Sequence, residues 1–314
     1  MNITSDDTMN SMLRACRLCP RSCGADRTGG ETGFCRAGAL PRIALASLHH
    51  WEEPCISGAR GSGTVFFSRC NLACIFCQNH KISQDDQGAD VSISRLAAIF
   101  LEQQDRGAHN LNLVTPTPYV PQTIEALRIA RRSGFNLPVV YNTSAYETIE
   151  TINALAGWVD IYLPDLKYHD NALATRYSQA PDYFDHALRA IGAMMEQTGP
   201  CVFDGDGLLR RGVLIRHLAL PGHSADSRRI LAAIRERFGP DTWFSLMNQY
   251  APQPGSAAFP ELRREITEDE YDELIEYALS LGLENGFIQE PGAASEEYIP
   301  IFDLTNVAAQ GESP

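Results

Sequence analysis

The chain has 314 residues, a formal charge of −13 and a pI near 5.0, with 44% hydrophobic and 21% charged residues. A chain of this length buries roughly three-quarters of its unfolded surface, and the composition excludes collagen, coiled coil and bulk disorder. The acidic balance disfavours broad adhesion to nucleic acid or anionic membrane. No apolar run approaches the ~20 residues of a membrane span. The polar, acidic opening lacks the basic and apolar regions of a secretion signal, so a cytoplasmic protein is expected.

Residues 1–60 show no strand–helix rhythm. They carry a local basic cluster, Arg14, Arg17, Arg21, Arg27, Arg36 and Arg42, against only Asp26 and Glu31. That cluster is a solvated surface or a site for an acidic partner. From residue 63 onward short apolar strands alternate with amphipathic helices. Strands are expected over 63–69, 110–115, 137–143, 159–166, 212–221 and 242–250. The helices fall near 92–104, 120–133, 147–156, 183–198, 225–238 and 268–281. In the last, Tyr271, Leu274, Ile275, Ala278 and Leu279 form one stripe, and the acidic run beside it is a solvated face.

Such alternation predicts parallel strands with helical crossovers, in a partial α/β barrel or a doubly wound sheet. Polar residues gather where the strands end: Thr115 and Thr117, Asn142 and Thr143, Asp165 and Lys167, Met247 and Gln249. In either architecture that end is the ligand face. The expected division is a cysteine-rich appendage over 1–60, the α/β unit over 61–290, and a loosely packed tail over 291–314.

Eight of the nine cysteines lie in the first quarter of the chain. An odd count in a reducing compartment argues against a disulfide framework and for metal or iron–sulfur ligation. Cys201 reads as a packed, isolated thiol. Cys70, Cys74 and Cys77, spaced Cys-x3-Cys-x2-Cys, fall on the loop after the first strand of the repeat. A 4Fe-4S cluster takes one thiolate per iron, so three cysteines leave one iron open to chelate S-adenosylmethionine. Two rivals use the same thiols: zinc with His80 as the fourth ligand, and a closed electron-transfer cluster with Cys55. Cys16, Cys19, Cys23 and Cys35 supply four thiolates for zinc or a second iron–sulfur cluster. Pro20, Gly24 and Gly33 suit tight metal knuckles; zinc is the simpler choice and is slightly favoured over an auxiliary cluster that relays electrons. Cys55 has no partner by spacing; a spare ligand, a radical-quenching thiol and a packed side chain remain open.

The loop Cys70-Asn71-Leu72-Ala73-Cys74-Ile75-Phe76-Cys77 resembles the radical SAM superfamily. The wider pattern resembles its PflX-like branch, homologues of pyruvate formate-lyase-activating enzymes. It runs through Cys16–Cys23, the stretch His50-Trp51-Glu52-Glu53-Pro54-Cys55, Val159–Tyr168 and Ile215–Gly222. The resemblance implies a partial (β/α)6 TIM-type barrel, the open 4Fe-4S cluster, S-adenosylmethionine, and an electron donor such as flavodoxin or ferredoxin. It also implies hydrogen abstraction from a protein or small-molecule substrate, with glycyl-radical activation as one subclass. A non-catalytic electron carrier or metal-dependent binding module is the reading from another class.

Asp165 and Lys167 share a strand parity, and two charges at a buried strand end need pairing or a ligand. Their likeness to the Asp-x-Lys of glycyl-radical activases implies a role around the methionine part of the cofactor; a structural ion pair is the alternative. His217 falls on the small-residue side of its strand with Val213, Ile215 and Ala219, so it is expected at the site; a satisfied core histidine is the competing reading. Asn142 and Thr143 are expected to bind the ribose or the methionyl carboxylate, or else to cap a turn. Many radical SAM proteins carry Gly-Gly-Glu after the second strand, whereas this chain has Val114-Thr115-Pro116-Thr117-Pro118. Thr115 and Thr117 stand in for it without a carboxylate.

Overall fold

The computed structural model describes residues 11–289 and 300–308. Its centre is a run of parallel strands: β2 (Ser62–Phe67), β4 (Leu111–Val114), β5 (Val139–Thr143), β6 (Ile161–Pro164), β8 (Leu209–Leu218) and β9 (Trp243–Met247). These are the expected strands, four of them trimmed, with β2 starting one residue and β8 three residues earlier than expected. The residues of β2, β4, β5 and β6 are all buried, as they must be in a parallel sheet covered on both faces. Between them run the helices Ile93–Asp105, Val120–Arg132, Ile149–Ala154, Asn171–Ser178, Tyr183–Thr198 and Ser224–Phe238, with Glu268–Ser280 after β9. Ser92 and Thr148 start their helices by accepting from the backbone N–H three residues on.

Four strands went unread in the sequence. β10 (Gly286–Ile288) adds a further parallel strand beyond β9, and β7 (Val202–Phe203) pairs with the outer part of β8. β1 (Arg42–His49) runs antiparallel to β2, and β3 (Ala89–Asp90) pairs with β1. Arg42–His49 therefore belongs to the main sheet, and the sheet starts before residue 60. The described part of the tail runs beside β1. Leu304 N–H donates to the Ala44 carbonyl, Ala46 N–H donates to the Thr305 carbonyl, and Phe302 is buried.

The sheet order is β10-β9-β8-β6-β5-β4-β2-β1-β3, curled into a partial barrel. A single side chain demonstrates the curl: Glu52 touches Asn112 on β4, Asn142 on β5 and Arg216 on β8. Below it, Cys55 and Ile56 pack among Val140, Ile161, Leu163, Leu209 and Leu214, which fill the interior. The larger core lies outside the sheet, where Val213, Ile215 and Ala219 meet helix residues such as Ile230, Leu231 and Ile234.

Candidate active site and cluster-binding loop

The C-terminal strand ends open on a cavity of about 220 Å³. Its lining includes Cys70, Cys74 and Cys77 on one side and Thr115, Asn142, Thr143, Asp165, Lys167, Arg216 and Met247 on the other. The three thiols lie on the loop that leaves β2. Leu72 N–H donates to Cys70 Sγ at 3.4 Å, Ser178 Oγ to Cys74 Sγ at 3.0 Å and Ser83 Oγ to Cys77 Sγ at 3.4 Å. Phe76 anchors the loop through edge contacts with Tyr168 and Tyr250. Burial pushes the Cys74 thiol up to about 11 and raises Cys70 and Cys77 as well, while nearby Lys167 opposes the rise. Thiols in such a place become thiolates when a metal centre supplies the positive charge.

Opposite them sits a charged network. Lys167 Nζ lies 2.7 Å from Asp165 Oδ2, which bears out their shared face. Arg216 Nε donates to Asp165 Oδ1 at 2.9 Å, Nη1 to Glu52 Oε1 at 2.6 Å and Nη2 to Asn142 Oδ1 at 2.6 Å. Glu52 Oε2 accepts from Asn112 and Asn142, both at 2.9 Å. Burial works against the Asp165 charge, yet Arg216 and Lys167 hold its carboxyl below the usual carboxylate range. Glu53, beneath this network, goes the other way: burial raises it to about 7 despite the attraction of Arg216.

Two expected site residues lie elsewhere. His217 is a satisfied core histidine, with Nδ1 2.8 Å from the Leu166 carbonyl and Nε2 2.9 Å from Ser227 Oγ. The bridge between Asp165 and Arg216 turns Arg216 inward, and alternation then sends His217 to the helix side. The small residues of β8 mark the face packed by helices, not the barrel interior. Thr117 is also buried behind the cavity, donating to Glu147 Oε1 at 2.6 Å. Thr115 does line the cavity, in the left-handed region at φ 59°. That conformation is costly for a β-branched residue and marks a site held under strain.

Neither rival fourth ligand is placed for the role. Cys55 is packed in the barrel interior, and His80 pairs with Asp85 at 3.4 Å outside the cavity lining. The three thiols therefore face open space rather than a fourth cysteine. Ser144 Oγ, on the cavity wall, is buried without a hydrogen-bond partner. Three thiols, a strained rim and an orphaned hydroxyl fit an iron–sulfur cluster with a polar ligand beside it.

A family model for the radical SAM superfamily matches residues 64–234. The chain belongs to the radical SAM superfamily. Members of this superfamily carry a 4Fe-4S cluster and S-adenosylmethionine, and its enzymes rest on that pair. The chain is 28% identical over 284 residues to the uncharacterized protein MJ0674 of Methanocaldococcus jannaschii, covering 87% of this chain and 77% of the relative. Among solved structures it resembles Streptococcus suis SuiB bound to the precursor peptide SuiA, with 15% identity and a TM-score of 0.52. That match covers 72% of this chain and 47% of SuiB. It also resembles HydG, a maturase of the FeFe-hydrogenase, at 16% identity and a TM-score of 0.52, covering 78% of this chain and 56% of HydG. The chain thus spans about half the length of these two solved structures, which share its fold. No helix among the described residues is long and apolar enough to cross a membrane.

Glu52 and Arg216 were missed by sequence reasoning. Both lie inside stretches that carry the resemblance, His50–Cys55 and Ile215–Gly222, but neither has a spacing signature of its own.

Proposed function

We propose that this radical SAM protein is an enzyme that splits S-adenosylmethionine reductively in the strand-end cavity and abstracts hydrogen from a substrate admitted at its mouth. The observation that carries this is the three-thiol loop facing a polar cavity wall with no fourth cysteine in its lining. Cys70, Cys74 and Cys77 would hold the 4Fe-4S cluster, which when bound would supply one electron for cleaving a carbon–sulfur bond of the sulfonium and so for hydrogen abstraction from substrate, with methionine and 5′-deoxyadenosine released. Lys167 offers its ammonium to the cofactor's carboxylate, and Asp165 keeps that ammonium charged and aimed. Asn142, Thr143, Thr115 and Ser144 supply hydrogen bonds for the remaining polar groups. Leu72, Phe76, Val114, Leu218 and Met247 provide the apolar wall that limits water.

The motifs shared with the PflX-like branch favour an activating-enzyme-like substrate, a protein or peptide carrying the abstracted hydrogen. Glycyl-radical activation is one instance of that chemistry. The reaction needs a one-electron donor of the flavodoxin or ferredoxin kind. It also needs a reducing compartment, in keeping with a cytoplasmic protein whose nine cysteines are all free.

Anaerobic reconstitution with iron and sulfide, then dithionite and S-adenosylmethionine, tests the reading. The wild type is expected to release 5′-deoxyadenosine and Cys74→Ser to release none. A protein that reduces and reoxidises without consuming the sulfonium is an electron carrier instead.

A further inference from the structure

Cys16, Cys19, Cys23 and Cys35 line one small cavity next to the cluster loop, and Asn71 forms part of its wall. Two of the thiols have donors. Phe34 N–H reaches Cys23 Sγ at 3.3 Å and Arg27 Nη1 lies 4.0 Å from Cys16 Sγ. A Cβ at Gly33 would lie 2.6 Å from Cys23 Sγ, so only glycine leaves that thiol its place.

The spacing parallels that of the cluster loop. Cys16-x2-Cys19-x3-Cys23 spans as many residues as Cys70-x3-Cys74-x2-Cys77, with the gaps reversed.

The two thiol groups are joined. Asn71 Oδ1 lies 3.8 Å from Cys70 Sγ, and the same side chain sits against the Cys19 thiol. Arg21 Nε donates to the Asn71 carbonyl at 3.0 Å, and its guanidinium also bonds the Ser178 carbonyl, behind Cys74. Cys23 is exposed, and exposed Arg14, Arg17 and Arg36 belong to the same segment, a basic stretch on a chain of net charge −13.

We propose that Cys16, Cys19, Cys23 and Cys35 bind a second 4Fe-4S cluster that passes electrons from an acidic one-electron donor protein to the cluster at Cys70, Cys74 and Cys77. The donor loses one electron, the outer cluster is reduced and then reoxidised by the inner one, and no other bond changes. The cluster assignment stands apart from the proposed function, whereas the relay role rests on it.

Iron, sulfide and zinc counts after anaerobic purification and reconstitution test the site without any turnover. Wild type is expected to hold about eight irons, and the Cys70→Ala/Cys74→Ala/Cys77→Ala variant about four with an iron–sulfur absorption band. About four irons with about one zinc in the wild type overturns the second cluster. For the relay, 5′-deoxyadenosine release is compared with reduced flavodoxin and with dithionite as reductants. In Cys16→Ser/Cys19→Ser the flavodoxin-to-dithionite rate ratio is expected to fall at least tenfold. An unchanged ratio overturns the relay. Absence of product from wild type with both reductants removes the proposed function and the relay together, yet an iron count near eight still establishes the second cluster.

Discussion

Arg216 is the residue on which the site's charge balance turns, because its guanidinium alone serves Asp165, Glu52 and Asn142 together. Its substitution by leucine leaves Glu52 without its cation and Asp165 with Lys167 alone. Breaking a buried pair by removing one partner typically costs about 3–5 kcal/mol. Arg216→Leu is therefore expected to lower the urea midpoint. It is also expected to weaken S-adenosylmethionine binding to the reconstituted protein at least tenfold, since Asp165 then draws Lys167 away from the ligand. An unaltered midpoint would show that the network is not structural. Glu147 yields a prediction of opposite sign. Burial raises its carboxyl from 4.5 to about 7, against the bonds from Thr117 and Thr143. The folded state thus holds that proton more tightly than the unfolded chain. Its stabilising effect is complete below about 4.5 and fades as pH climbs through about 7. Unfolding free energy measured from pH 5 to 8 should fall with pH in the wild type. The slope should be shallower in Glu147→Gln, with the remainder due to Glu53, which is raised to about 7 in the same way.

At the scale of elements, the loop after β9 acts as a clamp on the cluster loop. Gly255 lies so close that a Cβ there would stand 2.5 Å from the Ile75 carbonyl oxygen, between Cys74 and Cys77. The obstacle is backbone, so it yields only if the cluster loop moves. Gly255→Ala is expected to reduce the iron bound per chain while leaving the far-ultraviolet circular dichroism unchanged; full iron retention would show that the loop moves without consequence. Legibility in the sequence follows the same division. The six core strands and all the long helices are readable because each is a short apolar run or a 3.6-residue stripe with a polar boundary, whereas the eight-residue helix Asn171–Ser178 is not. β1 was hidden because it pairs antiparallel ahead of the first helix crossover, and β3, β7 and β10 are two or three residues long. Cys70, Cys74, Cys77, Asp165 and Lys167 were readable from spacing and parity. Arg216 is not, because the small residues of β8 suggest a barrel-facing side, whereas in the fold they make room for helices. Glu52 lies on the connection before the first core strand, where neither periodicity nor a ligand-spacing rule applies.

At the scale of the whole molecule, the tail packs against the β1 side of the sheet. Phe302 is buried with Ala44, Leu45, Phe66, Ile82 and Val114, and its ring meets Phe66 edge-on at 5.5 Å. Phe66 and Val114 line the strand-end cavity, as does Pro300. Residues distant in sequence thus complete both the packing around β1 and the wall of the site. This docking is not legible in the sequence, since a lone phenylalanine in a mixed tail has no periodicity to declare where it packs. Truncating a buried phenylalanine to alanine removes its transfer energy and leaves a cavity, at a cost of about 3–5 kcal/mol. Phe302→Ala should therefore lower unfolding free energy in urea by an amount in that range. Because the void opens behind Phe66, it should also weaken S-adenosylmethionine binding. The iron content at Cys70, Cys74 and Cys77 should hold, because the thiol loop is anchored instead through Phe76, Tyr168 and Tyr250. Loss of stability without any change in affinity would show that the tail supports the sheet alone and that the cavity wall is rigid without it.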